Sequence, residues 1–391
     1  MAMRDGATIN APNLTKKQFN AIANRFQNAE KIQDIAFATL TRSTLNRPFP
    51  LSRPLEALEL TWRGRVVIGT ADYTAVAAEA PQTIVERIRL YGTHRFFGQQ
   101  ILIDVSGAMA FTWLRCFQIR GNDLYIGATR QADPTSPFAQ TAAVFGAQAT
   151  YDLEIHYIIP LQPVFGPSAR PALLPFLLMP EDWQDTLQLE ITFGDKTSWG
   201  TPAGGTTVTI TAYGSGAGSP ALGVYANYAL LGGLAGKIRG AVILRQEQLV
   251  SGVVSAIANG IQLLNLQKNR TTNIVVKSGI LLTGTSAGVS VFASLSDLML
   301  GRTQVLADNK PIRNITDNWA ASSHHDRHFN TIAPQGYLPI SFVESMNPGT
   351  MLRGDLIPGG SSFLLQSDIL TANANNNVRV VQEMVLVPPR S

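Results

Sequence analysis

From residue 55 onward, apolar positions fall mostly at every second residue. "LELTW" sets Leu58, Leu60 and Trp62 against Glu59 and Thr61, and "YDLEIHYII" sets Tyr151, Leu153, Ile155, Tyr157 and Ile159 against Asp152, Glu154 and His156. "TLQLEITF" and "TVTITA" alternate in the same way, with Leu187, Leu189, Ile191 and Phe193 in the first and Val208 and Ile210 in the second. Each run predicts a strand with one buried and one polar face. Antiparallel pairing is expected, because strands buried on both faces read as unbroken apolar runs. Further strands are expected in "GAVILRQEQLV", "TTNIVVKSGILL", "VSVFASL", "GRTQVLAD", "GYLPISFVES", "SSFLLQ" and "VRVVQEMVLVPP". "FTWLRCFQI" also reads as a strand, and one helical interruption is expected near "ITDNWAASSHHDRHF".

The N-terminal stretch has a different period. In "NLTKKQFNAIANRFQNAEK", residues 13–31, Phe19, Ile22, Phe26 and Ala29 recur at spacings of three and four, while Lys16, Lys17, Arg25 and Lys31 lie off that stripe. Thr15 and Gln18 fit a capping box, and Leu14 and Phe19 fit a hydrophobic staple. The pattern predicts a helix with one apolar and one cationic side. Such a helix either docks on its own domain or reaches a partner subunit or an anionic surface.

Glycine marks the middle of the chain. Residues 200–240 carry 11 of the 33 glycines, which places the domain boundary there. The expected division is an arm over 1–46, a first domain over 47–214, a Gly-rich linker over 215–236 and a second domain over 237–391. The two halves also end alike: a strand interrupted by Pro160 or Pro339 leads into a long Pro/Gly loop, a short helix-like piece and a terminal strand. Short strands punctuated by Gly, Pro and Asn, in two similar halves, predict an all-β chain of two tandem sandwiches or jelly rolls.

Composition narrows the possible functions. The 391 residues are 45% hydrophobic and only 15% charged, against about a quarter charged in an ordinary soluble domain. Much of the surface is therefore expected to face protein, which implies homo-oligomerisation. Residues 1–50 hold seven Lys/Arg and three acids, which leaves 24 of each sign in the rest of the chain out of totals of 31 and 27. The body is neutral and the basic excess sits in the arm. A body without a basic patch argues against a dedicated nucleic-acid reader, although the arm can rest on lipid headgroups or nucleic acid. Cys116 is the only cysteine, which excludes an intrachain disulfide and predicts a buried structural thiol. With no long apolar run and no signal-peptide pattern, a soluble protein made in a reducing compartment is expected.

Catalytic patterns are present only as fragments. "GTSAG", Gly284 to Gly288, has the spacing of a nucleophile elbow around Ser286, but a β-prone run follows where a helix is required, so a hairpin turn is expected. "YGSGAGS" lacks the helix start and the ribose-binding acid of a dinucleotide loop. His324 and His328 stand four apart in "HHDRH" without the HExxH glutamate or a second ligand cluster, which favours a solvated loop or subunit contact over a metal site. Glu154 and Glu190 project from strands on what could be one polar face, the arrangement a jelly-roll glycosidase needs. The sequence gives no sign that they are neighbours. These constellations point away from catalysis and from any cofactor.

A chemically quiet, neutral, doubly repeated β body behind a basic arm resembles the double jelly-roll major capsid proteins of tailless icosahedral phages with an internal membrane, and more distantly adenovirus hexon. The residues carrying the resemblance are the arm from Leu14 to Leu40, the join near 214–236, and the segments "IIPLQPVFGPSARPALLPFLLMPEDWQDTLQLEITFGD" and "GYLPISFVESMNPGTMLRGDLI" with "SDILTANANNNVRVVQEMVLVPP". The resemblance covers nearly the whole chain. It implies two upright eight-stranded rolls, trimeric pseudo-hexagonal capsomers, contacts with neighbouring capsomers and with other virion proteins such as the penton, and residence in the virion after synthesis in the host cytoplasm. It also places the arm at the inner face, with Phe19, Ile22 and Phe26 against protein or bilayer and Lys16, Lys17, Arg25 and Lys31 against lipid phosphates. A viral spike or receptor-binding β-protein, a jelly-roll hydrolase and a tailed-phage shell protein remain as alternatives, the last disfavoured by the lack of a long spine helix.

Overall fold

The computed structural model describes residues 26–37, 40–117, 122–127, 129–130, 145–162, 177–214, 220–230, 241–250, 256–266, 270–282, 291–317, 329, 331–342 and 362–386. The first half builds a sandwich from β1 (Phe26–Ala36), β2 (Ser43–Phe49), β3 (Leu55–Gly69), β4 (Val85–His94), β5 (Gly98–Val105), β6 (Thr150–Pro160), β7 (Leu187–Phe193) and β8 (Ala221–Leu230). One sheet runs β1-β8-β3-β6 and the other β2-β7-β4-β5. Reading the strands in chain order, this is first, eighth, third, sixth facing second, seventh, fourth, fifth, the winding of a jelly roll.

The second half repeats it. Its strands are β9 (Val242–Leu249), β10 (Ala258–Asn265), β11 (Arg270–Leu281), β12 (Leu300–Ala307), β13 (Lys310–Ile315), β14 (Tyr337–Ser341), β15 (Phe363–Ile369) and β16 (Asn376–Leu386). They are ordered β9-β16-β11-β14 and β10-β15-β12-β13. The fold is thus all-β, with two tandem jelly rolls of identical strand order. The four strongly alternating runs read from the sequence are β3, β6, β7 and the strand Thr207–Thr211, which pairs with β3.

The rolls share a sheet. β9 pairs in parallel with β5, Arg245 opposite Ile103 and Gln246 opposite Asp104, so the β2-to-β5 sheet of the first roll continues into the β9-to-β14 sheet of the second. Each roll thereby covers an edge of the other that would otherwise be left unpaired. The second roll's part of this sheet is apolar on both faces: Ile243, Ile274, Val276, Val380 and Val385 belong to that roll's own core, whereas Val242, Leu244, Val275, Val381 and Met384 join the core of the first. Burial on both sides explains why "VRVVQEMVL" is a near-continuous apolar run although its neighbours in the sheet are antiparallel.

Three expectations are corrected. The helix read over 13–31 does not extend through Phe26 and Lys31, because Phe26–Ala36 is β1, paired antiparallel along β8. Beyond Lys31 the side chains follow a period of two, with Ile35 and Phe37 buried and Asp34 and Ala36 exposed, and a strand completes the first roll's sheet where a helix could not. Residues 13–25, with Lys16, Lys17, Phe19, Ile22 and Arg25, lie outside the described residues. The stretch 215–236 is not linker throughout, since Ala221–Leu230 is β8, held between β1 and β3. Its alternating Leu222, Val224, Ala226 and Tyr228 face the core, and the flanking glycines masked that alternation. Finally, "FTWLRC" is helical: α1 (Gly107–Trp113) is capped by Ser106, whose Oγ accepts from Met109 N–H at 3.3 Å, and runs into a turn of 3₁₀ helix over Leu114–Cys116. The segment is buried all round between the rolls, so it lacks the one-sided period that identifies a surface helix.

Candidate functional site: the junction between the rolls

The residues that hold the rolls together are charged groups set into apolar strands. Arg245 on β9 sends Nε and Nη2 to Glu383 on β16 at 3.0 and 2.5 Å, and its Nη1 donates to the Pro160 carbonyl of the first roll at 2.9 Å. The guanidinium lies 4.5 Å from the ring centre of Trp113 in α1. Glu383 is completed by Thr272, whose hydroxyl donates at 2.6 Å, and by Asn273 at 2.7 Å. A buried ion pair is tolerable when its remaining lone pairs and protons are satisfied in this way.

A second pair crosses the junction. Lys277 on β11 bonds to Glu79, in the loop between β3 and β4, and Tyr337 donates its hydroxyl to the other oxygen of Glu79. Burial, then the adjacent Glu79 charge, pushes the Tyr337 phenol well above its ordinary range. The third bridge is Glu247, which accepts from Ser106 N–H at 2.6 Å and from Arg379 at 3.2 Å. Burial alone would raise the Glu247 carboxyl, but Arg379, Lys277 and the Ser106 N–H together bring it below the ordinary value. Arg115 to Thr331 at 3.0 Å and Ala78 N–H to the Phe292 carbonyl at 2.8 Å add further links.

Beside this seam lies a cleft of about 560 Å³. Its acids are all matched: Glu79 with Lys277, Glu86 with Arg42 at 2.9 Å, Asp104 with Arg87 at 2.6 Å and Glu247 with Arg379. Burial raises the Glu86 carboxyl, opposed by Ser198 and Arg42, and the hydrogen bonds from Arg87 to Asp104 raise the guanidinium further. Four acids and four bases make the recess electroneutral, and a carboxylate tied to a cation is a poor proton carrier. The arrangement suits structural locking rather than turnover.

The candidate catalytic residues are not brought together. Glu154 stands on β6 and Glu190 on β7, in different sheets, each beside an arginine: Arg63 at 2.7 Å and Arg89 at 4.0 Å. His156 bonds Glu154 at 2.7 Å with Glu59 at 3.8 Å on its other side, and these carboxylates raise its pKa. His94 is buried against Phe97 and Trp183, which lowers it to about 4. Cys116 is a buried free thiol pushed up by desolvation. Lys31 pairs with Asp34 at 2.8 Å on β1. Ser286, His324 and His328 lie outside the described residues. Sequence reasoning missed Glu79, Arg245, Lys277, Glu247 and Glu383. The available signal was a charge inside an apolar run, as in "VVKSG", "VILRQ" and "VVQEMVL".

Two rolls of one winding, fused edge to edge through a common sheet, define the double jelly-roll class. The comparisons agree. The crystal structure of the STIV MCP superposes with a TM-score of 0.59 at 13% identity, covering 93% of this chain and 98% of that one. The atomic structure of Sulfolobus Turreted Icosahedral Virus gives 0.58 at 13% identity, covering 93% and 91%, and the Faustovirus major capsid protein 0.53 at 10% identity, covering 94% and 91%. No protein-family model matches the chain, and no curated protein matches it in sequence. The fold of this chain is therefore the double jelly roll found in these viral coat proteins.

Proposed function

We propose that the chain is the major capsid protein of an icosahedral virus. The observation that carries this reading is the unbroken sheet through β5 and β9, which makes two rolls into one upright block, together with a structural likeness that spans nearly the whole of both chains. A neutral, charge-poor body agrees with a subunit whose sides are covered by sister copies. In this reading three chains form a capsomer of six-sided outline, capsomers meet one another and a penton protein, and the product of host-cell synthesis resides in the virion.

The arm has a place in the same reading. β1 enters the first roll at the end where β8 and β16 finish, so residues 1–25 leave from that end. There Phe19 and Ile22 face protein or an internal bilayer while Lys16, Lys17 and Arg25 meet anionic headgroups. Mass measurement and electron microscopy of the purified protein test the proposal: trimers with a six-sided outline are expected, and a monomer at every concentration would sink it.

A further inference from the structure

The pairing that joins the rolls uses one strand of each of two kinds, and the chain holds a second strand of each kind. β5 is the fifth strand of the first roll and β9 the first strand of the second, and they meet in parallel. The fifth strand of the second roll is β13, which ends its sheet with β12 as its neighbour. The first strand of the first roll is β1, which ends its sheet with β8 as its neighbour. Among the described residues the other side of each is open. An open edge is a row of backbone donors and acceptors that selects another extended strand.

β13 matches β5 at the place where the junction is made. Each is the outgoing arm of a hairpin, opening at Gly98 opposite His94 in the first roll and at Lys310 opposite Ala307 in the second. Ile103, which meets Arg245, is paired with Leu90, four residues before His94. Ile315 is paired with Thr303, four residues before Ala307, and so holds the place of Ile103. The directions agree as well. β1, β5, β9 and β13 all start at the end where β8 and β16 finish, so β13 and β1 of two copies side by side meet in parallel, as β5 and β9 do. Lys310 and Pro311, residue types that guard exposed edges, stand at the start of β13 and not around Ile315.

We infer that β13 of one copy pairs in parallel with β1 of the next, around Ile315, so that the seam within the chain is repeated between chains. The inference rests on the coat reading and names the edge strands that close its ring. A head-to-tail contact of this kind closes when the rotation it imposes returns to the first copy. In a ring of three chains, seams within chains then alternate with seams between them, and all the rolls follow one another by a single rule, which is what a six-sided outline requires. A closed ring spends every β1 and β13 edge, and contacts between rings are therefore of another kind.

Hydrogen exchange read residue by residue on the assembled full-length protein tests it. In a strand at an open edge every second N–H lacks a protein acceptor and exchanges fast, whereas a strand paired on both sides protects consecutive amides. Consecutive protection is expected in β13 around Ile315 and along a stretch of β1. Alternate fast exchange in either strand of an oligomer would overturn the edge pairing and leave the coat reading standing. A wild type that stays monomeric at every concentration would overturn both. Proline supplies a second measurement. Successive N–H groups of β13 point to opposite edges, so one of Asn314→Pro and Ile315→Pro removes a bond to β12 and the other removes only the bond to the sister copy. The variant that keeps wild-type circular dichroism and melting should associate at least about tenfold more weakly. Undiminished association in that variant would overturn the pairing.

Discussion

Lys277 of the second roll and Glu79 of the first form an ion pair in which each side chain is only 2% exposed, with Phe292 4.4 Å beneath the ammonium. Removing one partner leaves the other charge almost fully buried and without its counter-ion. Lys277→Met should therefore cost about 3–5 kcal/mol, whereas Lys277→Met combined with Glu79→Leu should recover most of that loss. Urea unfolding of both singles and the double, read as a double-mutant cycle, checks it. Additive losses would show that the two groups do not depend on one another.

Gly107 opens α1 hard against β4: a Cβ there would come within 1.8 Å of the Val85 carbonyl oxygen. Backbone cannot step aside as a flexible side chain can, so Gly107→Ala should displace the helix that fills the space between the rolls. A loss of about 3 kcal/mol is expected, seen as a lower urea midpoint at unchanged slope.

The two well-placed histidines should act on stability in opposite senses. His94 titrates near 4 when folded and near 6.5 when unfolded, so in that window the unfolded chain holds more protons and stability falls as pH drops from about 6.5 to about 4. Replacing it in His94→Gln should flatten the acid limb of a melting-temperature profile. His156 is raised by Glu59 and Glu154, so its contribution is complete below about 6.5 and fades as pH climbs through its folded value. Accordingly, His156→Gln should lower the melting temperature at pH 5.5 more than at pH 8.5. Equal losses at both pH values would contradict the assignment.

Truncation separates arm from roll. Deleting residues 1–25 should leave a folded body that associates but fails to build closed shells. Deleting residues 1–45 also removes β1, with its pairing along β8 from Ala221 to Leu230, and the first three residues of β2. That longer deletion should melt at least about 10 °C lower, because β8 becomes an open edge. A shorter truncation that assembles normal particles would count against a role for the arm.

How far the chain announced this architecture depends on the environment of each strand. β6, β7 and the part of β3 beyond Trp62 alternate between a core face and a partly exposed one, so the pattern of side chains printed their structure directly. The repeat was legible only in the sixth strands, β6 and β14, which carry Pro160 and Pro339; the closing strands had been matched out of step, since "TLQLEITF" is the seventh strand of its roll and "VRVVQEMVL" the eighth of its own. β8 was hidden among glycines, and β1 was obscured by apolar residues that also fit a helical stripe before they settle into a period of two at Ile35 and Phe37. α1, enclosed on every side, had no polar face to reveal its period. The junction was least legible: a lysine in "VVKSG" looks like a solvated charge until the topology sets it opposite Glu79, 198 residues away. Pairings at that separation are a property of the winding, and local pattern does not contain them.

The parallel pairing of β5 with β9 has a mechanical consequence. Hinging one barrel against its twin would tear a hydrogen-bonded ladder and pull Arg245 off the Pro160 carbonyl. The molecule is thus a stiff slab, and any vault assembled from it must take its bend at the boundaries between slabs, where angles are set by rim contacts and cost little to adjust.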